Sequence, residues 1–265
     1  RVQELHSGRG RLRCILRTIG IPDQLKEDKA IVEYTQTSSD TNTVKTLISA
    51  VCAAGAGLSG AYNGYTAITV VYDSEDSLID TVKPADYFSI SEGENRWDKI
   101  EELLGLTGCK ARFRNDGKLH ILVPVITGIT YDYEYKFNIS GDHTFFDKTV
   151  RLRFVNPNKE IVKTPPASSG YTGTQYSGSA TSATSFALEP KVGRPTRGRF
   201  TSDAQCAAIA AAKIERNELD AEKGFATVPM TFGLELWDYV KVTDSRQGDT
   251  RIGNVQYLSR NVKIP

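Results

Sequence analysis

The acids grouped near the C-terminal end are the first residues to consider for chemistry. Glu235, Asp238, Asp244 and Asp249 lie close together in sequence. A calcium loop needs regularly spaced oxygen ligands closed by a glutamate, and Asp244-x-x-x-Gly248-Asp249 has neither. These acids read instead as turn-holders, accepting bonds from nearby backbone N–H groups. Glycan hydrolysis needs two carboxylates about 5–9 Å apart in a groove. Glu94, Glu101 and Glu102 are the dense acids near aromatic residues, and their helical spacing points them to solvent. Ser169-Gly170 and Ser177-Gly178 lack the strand-to-helix elbow and matched base of an activated serine. Cys14, Cys52, Cys109 and Cys206 form no C-x-x-C pair, so they read as buried, unpaired thiols. His6, His120 and His143 are scattered, with no zinc-ligand spacing. Gly55-Ala56-Gly57-Leu58-Ser59-Gly60 follows a helix rather than a strand, so it reads as a connector and not a nucleotide loop. We therefore expect no catalytic residue, no cofactor and no metal site.

Surfaces are more promising than pockets. Tyr131, Tyr133 and Tyr135 alternate with acids and a lysine along one segment, and Tyr171 and Tyr176 sit in a neutral Ser/Thr/Gly-rich stretch. Tyrosine gives contact area at low entropic cost and suits protein interfaces, although the same rings could line the chain's own core. Lys191, Arg194, Arg197 and Arg199 form a basic contact candidate on a Pro/Gly-broken segment, suited to phosphate, acidic lipid or an acidic partner. Gly8-Arg9-Gly10-Arg11 is a short basic patch without the interleaved aromatics of a single-strand binder.

The elements that must position these residues follow from patterning. With 33 Lys+Arg against 32 Asp+Glu, 39% hydrophobic and 9% aromatic residues in 265, the chain has a sizeable core and no bulk charge for a polyelectrolyte. Its apolar runs are shorter than the ~20 residues of a bilayer-spanning helix. It starts at Arg1 without an initiator Met, as a cut fragment would. Spacing predicts helices over Arg9–Ile19, from about Asn42 through Cys52, within Ser89–Gly108, and over Thr201–Leu219, the last with an Ala204, Ala208, Ala211, Ala212 and Ile214 face. Ser91 and Glu94 have capping-box spacing. Strands are expected at Tyr65–Tyr72, at a hairpin of Cys109–Phe113 and Lys118–Val123 turning on Asn115-Asp116-Gly117, at Thr130–Ile139, at Val150–Val155, and at Phe225–Phe232, Tyr239–Thr243 and Asn254–Lys263. Residues 164–185 read as a long loop or lid. The expected fold is α+β: mostly antiparallel, barrel-like β modules beside an α+β module with two or three amphipathic helices. The expected parts are an N-terminal segment, 1–88; a helix-plus-hairpin module, 89–150; and a β-rich module, 151–265, carrying the insert, the helix 201–219 and the closing strands.

Three stretches, in this order, resemble the baseplate-hub proteins of long-tailed phages and contractile injection machines. Trp97-Asp98-Lys99-Ile100-Glu101-Glu102-Leu103 through Gly108, then Phe113 to Leu119 with Asp116-Gly117, is similar to that family's Trp-led helix, glycine and Asp-Gly hairpin. Phe200-Thr201-Ser202-Asp203-Ala204 through Ala212 resembles its alanine-rich helix. Leu234-Glu235-Leu236-Trp237-Asp238-Tyr239-Val240-Lys241-Val242, then Gly253 to Leu258, resembles its closing segment, with Trp237 where the family commonly has Gly. The resemblance implies a non-enzymatic tail component linking tube to tip, a homotrimer with two barrel-like modules per subunit, tail-tube and spike or tip proteins as partners, and contact with DNA passing through a lumen. It implies residence in a virion tail or a cytoplasmic prophage-encoded assembly. Two other classes remain open: a carbohydrate- or receptor-binding module of a tail tip, marked by exposed tyrosines on the insert, and a tail-associated glycan hydrolase, marked by paired carboxylates in a groove.

Overall fold

The computed structural model of the chain describes residues 2–7, 14–18, 20–55, 57–137, 147–152, 154–245 and 247–260. The Gly8–Arg11 patch, His143 and residues 261–263 of the strand expected over Asn254–Lys263 lie outside the described residues, as do the side chains of His6, Cys14 and Phe137; residues 255–260, which are described, are not a strand. Two antiparallel strands open the chain, β1 (Val2–Ser7) and β2 (Cys14–Thr18). The helix expected over Arg9–Ile19 is therefore a strand where it is described. A short apolar run fits either period, and a pairing partner decides it.

Next come α1 (Ile21–Glu27), β3 (Tyr34–Thr35), α2 (Val44–Ala53), β4 (Val70–Tyr72), α3 (Leu78–Thr81), β5 (Ser89–Ile90), α4 (Arg96–Leu104), β6 (Lys110–Phe113) and β7 (Leu119–Leu122). Thr43 caps α2 by accepting from the Thr46 N–H, and Val44, Leu47, Ile48, Val51 and Cys52 bury one face, as expected. α4 starts later than the Ser91–Glu94 spacing suggests. Asn95 is its cap, accepting from the Asp98 N–H at 2.8 Å. The Glu94 carboxylate does reach the Ser91 N–H (2.7 Å), but it closes a turn ahead of the helix. The β6–β7 hairpin turns where expected: Gly117 takes φ +73°, and Asp116 accepts from the Lys118 N–H at 3.0 Å.

The second half holds β8 (Tyr133–Phe137), β9 (Asp147–Leu152), β10 (Lys159–Lys163), β11 (Ser177–Thr181), α5 (Ala183–Leu188), β12 (Thr196–Arg197), α6 (Asp203–Ala221), β13 (Glu222–Thr227), β14 (Tyr239–Asp244) and β15 (Asp249–Asn254). The expected long loop over 164–185 is half ordered, because β11 pairs antiparallel with β10 and α5 follows it. The buried face of α6 also differs from the expected one. Cys206, Ile209, Ala210, Ala212 and Ile214 are buried, while Ala204, Ala208 and Ala211 are exposed. Alanine tolerates both sides of a helix, and what selects the face here is a strand. A Cβ on Gly178 of β11 would fall on the backbone of Cys206 and Ala207, so only glycine lets β11 lie this close to α6.

The architecture is mixed α+β, as expected. The described sheets have two or three strands: β1-β2, β3-β5, β9-β13, β4-β7-β6, β11-β10-β12 and β8-β14-β15. Most of their pairings are antiparallel; β4–β7, β10–β12 and β8–β14 are parallel. The main core runs from Leu25 on α1 through α2, α4 and β7 to Val162, Phe200 and Ile209, so α6 and β10 close over the same apolar centre as the first helices. One polar side chain lies inside that centre. Arg96, with no exposed surface, donates from Nε to the Val51 carbonyl (3.0 Å), from Nη2 to Cys52 (2.6 Å), and from Nη1 to Thr66 (2.9 Å) and the Asp28 carboxylate (2.8 Å). The carbonyls at the end of α2, which have no helical partner, are thus met by a cation at the negative end of the helix dipole.

Candidate functional site

β6 is an edge strand, since among the described residues only β7 pairs with it, and an edge needs a cover. The segment between Leu234 and Tyr239 supplies one. The Trp237 indole Nε1 donates to the Ala111 carbonyl at 3.1 Å, and Lys110 Nζ stands 5.0 Å from the centre of the indole. Arg112 Nη1 donates to the Leu236 carbonyl (2.7 Å) and to Asp238 Oδ1 (2.9 Å), while Arg114 Nε pairs with Glu235 (3.0 Å). Lys110, Arg112 and Arg114 alternate along the strand and its extension, which places all three on one face toward this segment. Asp238 also accepts from the Glu235 N–H at 2.7 Å, so it holds its own turn as well as the arginine. Burial pushes its carboxyl above the ordinary range, and the Glu235 N–H and Arg112 oppose that shift.

The charge pattern continues across the hairpin. Arg114 Nη1 lies 3.5 Å from Asp73, and the Asp73 carboxylate contacts His120 Nδ1 at 3.0 Å. His120 Nε2 contacts Asp116 at 3.1 Å. Asp116, Asp73, Glu235 and Asp238 alternate with His120, Arg114 and Arg112 in one chain of polar contacts, tying the hairpin turn, β4 and the closing segment together. Among the described residues, no three His, Cys, Asp or Glu side chains converge as metal ligands.

Behind β6 lies a cavity of about 100 Å³ lined by Gly108, Lys110, Ile126, Ala212, Glu215 and Arg216, among others. Burial, with the neighbouring Arg216, lowers the Lys110 ammonium to about 8. A folded-state value below the unfolded one means that the unfolded chain binds more protons between the two, so stability rises with pH from about 8 toward 10.5. Comparing Lys110→Met with the parent by urea unfolding at pH 7 and pH 10 should show the variant's relative stability falling by about 2–3 kcal/mol on going alkaline. An unchanged difference would mean that Lys110 is hydrated and not desolvated.

The remaining expected site residues divide by location. Tyr135 is buried within the chain, Tyr133 is half-buried, and Tyr131 stacks on Tyr239 with centroids 5.4 Å apart. Tyr171 receives Arg199 over its ring (5.2 Å), and Arg199 also forms a two-pronged pair with Asp86 at 2.6 and 2.8 Å, which lowers the Asp86 carboxyl. Lys191 pairs with Glu189, while Arg194 and Arg197 are exposed. The basic group is therefore half neutralised within the chain. Of the motif residues, Ile100 and Leu103 are core, Trp97 packs on Phe113 (6.4 Å), and the Gly108 N–H donates to Asp76 (2.9 Å). Val240 sits in β14 between Tyr133 and Gly253. The turn-holding role expected for Asp238 is present, while Asp244 and Asp249 meet Lys148 of β9 at 3.7 and 2.6 Å. Cys52, Cys109 and Cys206 are buried free thiols. The residues missed in the sequence are Arg96, Arg112, Arg114 and His120. The alternation Lys110-x-Arg112-x-Arg114 on an expected strand was the available signal for two of them.

No protein-family pattern and no curated protein matches the chain. Solved structures do share its fold. The tail protein from Neisseria meningitidis MC58 superposes with a TM-score of 0.60 at 12% identity, covering 95% of this chain and 71% of that one. A prophage tail protein from Listeria monocytogenes gives 0.53 at 13%, with 95% and 69% covered. The 43 kDa tail protein of prophage MuSo2 from Shewanella oneidensis gives 0.52 at 14%, with 95% and 71% covered. At these identities the likeness is one of fold.

Proposed function

We propose that the chain is a structural, non-enzymatic component of a phage or prophage tail, placed at the baseplate hub where the tube meets the tip. The observation that carries this reading is the fold shared with three tail proteins over 95% of this chain. The order of the Trp97, Phe200 and Trp237 segments supports the finer placement. So does the use of the chain's densest charged side chains to brace one element against another. In this reading the protein works as a homotrimer, touching tube and spike or tip proteins, with the exposed Arg194 available to a DNA-filled lumen. Among the described residues, no helix is long and apolar enough to cross a membrane.

The test is deletion of the gene from an inducible prophage, with particles imaged after induction and purified wild-type tails quantified for the chain. Expected are tips that fail to join tubes in the deletion, and the chain at the tip of wild-type tails in a multiple of three copies. Complete tails without the protein, or its absence from purified tails, would overturn the role. Peptidoglycan cleavage by the purified chain would favour the tail-associated hydrolase instead.

A further inference from the structure

One row of the β11-β10-β12 sheet combines features that the structural role does not use. Ser177 of β11 is the register partner of Lys163 on β10, and Lys163 is the parallel partner of Arg197 on β12. Register partners point to the same face, so the three side chains form a line across the sheet. The opposite face, with Val162 and Gly178, is the one packed on the core and α6. Two cations held directly opposite one another repel, and among the described residues neither Lys163 nor Arg197 is paired with a carboxylate. The acid bonded nearest to the row, Asp203, is engaged by the Ser177 N–H at 2.7 Å.

This row borders a cavity of about 190 Å³, completed by Thr164, Pro166, Gln175 and Tyr176. Its wall is fixed in advance. The Thr164 N–H donates to the Tyr176 carbonyl (3.0 Å), the Tyr176 N–H to the Thr164 hydroxyl (3.0 Å), and the Gln175 amide to the Pro165 carbonyl (3.0 Å). Binding therefore has little loop to order. The volume is below the ~300–1,000 Å³ that drug-sized molecules fill, so it takes one small group and not an extended ligand.

We propose that this cavity binds a single acidic sugar unit of a glycan, its carboxylate lying between Lys163 and Arg197. A guanidinium fork matches a planar carboxylate. The hydroxyl of Ser177, the amide oxygen of Gln175 and the ring of Tyr176 give the polar-plus-aromatic wall that a sugar ring needs. An acidic protein partner would call for an apolar interface centre inside its polar rim, and among the described residues none of the exposed large apolar side chains lines this cavity.

The test uses the full chain, titrated calorimetrically with an oligosaccharide containing glucuronic acid, its carboxyl-reduced form, inorganic phosphate and a glutamate-rich peptide. Expected is saturable binding of the glucuronate form alone, weakened at least tenfold by Arg197→Gln or Lys163→Gln and unchanged by Arg194→Gln, with circular dichroism confirming that all three variants fold. Equal binding of the carboxyl-reduced sugar, preference for phosphate or peptide, no saturation at millimolar ligand, or loss on Arg194→Gln would each overturn the proposal. The readout is independent of tail assembly, so its failure leaves the hub reading standing, and the reverse also holds.

Discussion

Arg96→Met is expected to lower the stability of the chain by about 3–5 kcal/mol, the cost of removing one partner from a buried, fully bonded ion pair. The side chain is wholly buried and makes four hydrogen bonds. Methionine fills much of the volume, so the loss is polar. It strands the Asp28 carboxylate, only 6% exposed, together with the Val51 carbonyl at the end of α2, while the Cys52 carbonyl keeps the Ile68 N–H at 2.9 Å. Arg96→Lys keeps a charge for Asp28 but cannot fork to three carbonyls, so it should recover only part of the loss. Urea unfolding followed by circular dichroism checks this, with exposed Arg194→Met as a control within about 0.5 kcal/mol of the parent. Should Arg96→Met be too unstable to isolate, Asp28→Asn leaves the guanidinium its three carbonyls and should still cost more than the control. A loss under 1 kcal/mol from Arg96→Met would show that these carbonyls are served by water.

What was legible in the sequence follows from how local each signal is. α2, α4, the β6–β7 turn and α6 were readable because their periodicity, caps and turn residues lie within a few positions of one another. β2 was misread because five residues of mostly apolar sequence fit a helix as well as a strand, and the partner that settles the matter, β1, lies outside those five residues. α6 was found but turned the wrong way, because alanine does not declare a face and the glycine that chooses it is Gly178 on another strand. The seam was illegible for a stronger reason. Arg112 and Asp238 are 126 positions apart, and Arg114 and Glu235 are 121 apart. No pattern along the chain joins them. Arg96 was hidden by its type, since arginine on a helix is ordinarily read as a solvated charge, and only the end of α2 arriving beside it makes it a core residue.

Trp237 tests the seam and its strain in one position. Its φ is +69°, in the left-handed region that a bulky side chain occupies at a cost of roughly 1–2 kcal/mol. The hub-like pattern has glycine at this place, which carries no such cost. The cost is borne here because the indole donates to the Ala111 carbonyl on the open edge of β6 and lies under the Lys110 ammonium. Trp237→Ala keeps the strained backbone and removes both contacts; Trp237→Gly removes the contacts and the strain together. Both should destabilise the chain by about 2–4 kcal/mol, a half-buried share of a large-to-small aromatic loss. The alanine variant should be the worse by about 1 kcal/mol, which reverses the usual order of the two residues. Amide exchange should locate the damage in Lys110–Phe113 and Tyr239–Asp244 and leave α2 protected. If glycine were as harmful as alanine, the backbone at 237 would relax without its indole. If neither variant moved those amides, the arginines of β6 alone would hold the closing segment, and the indole would be a passenger on their ion pairs.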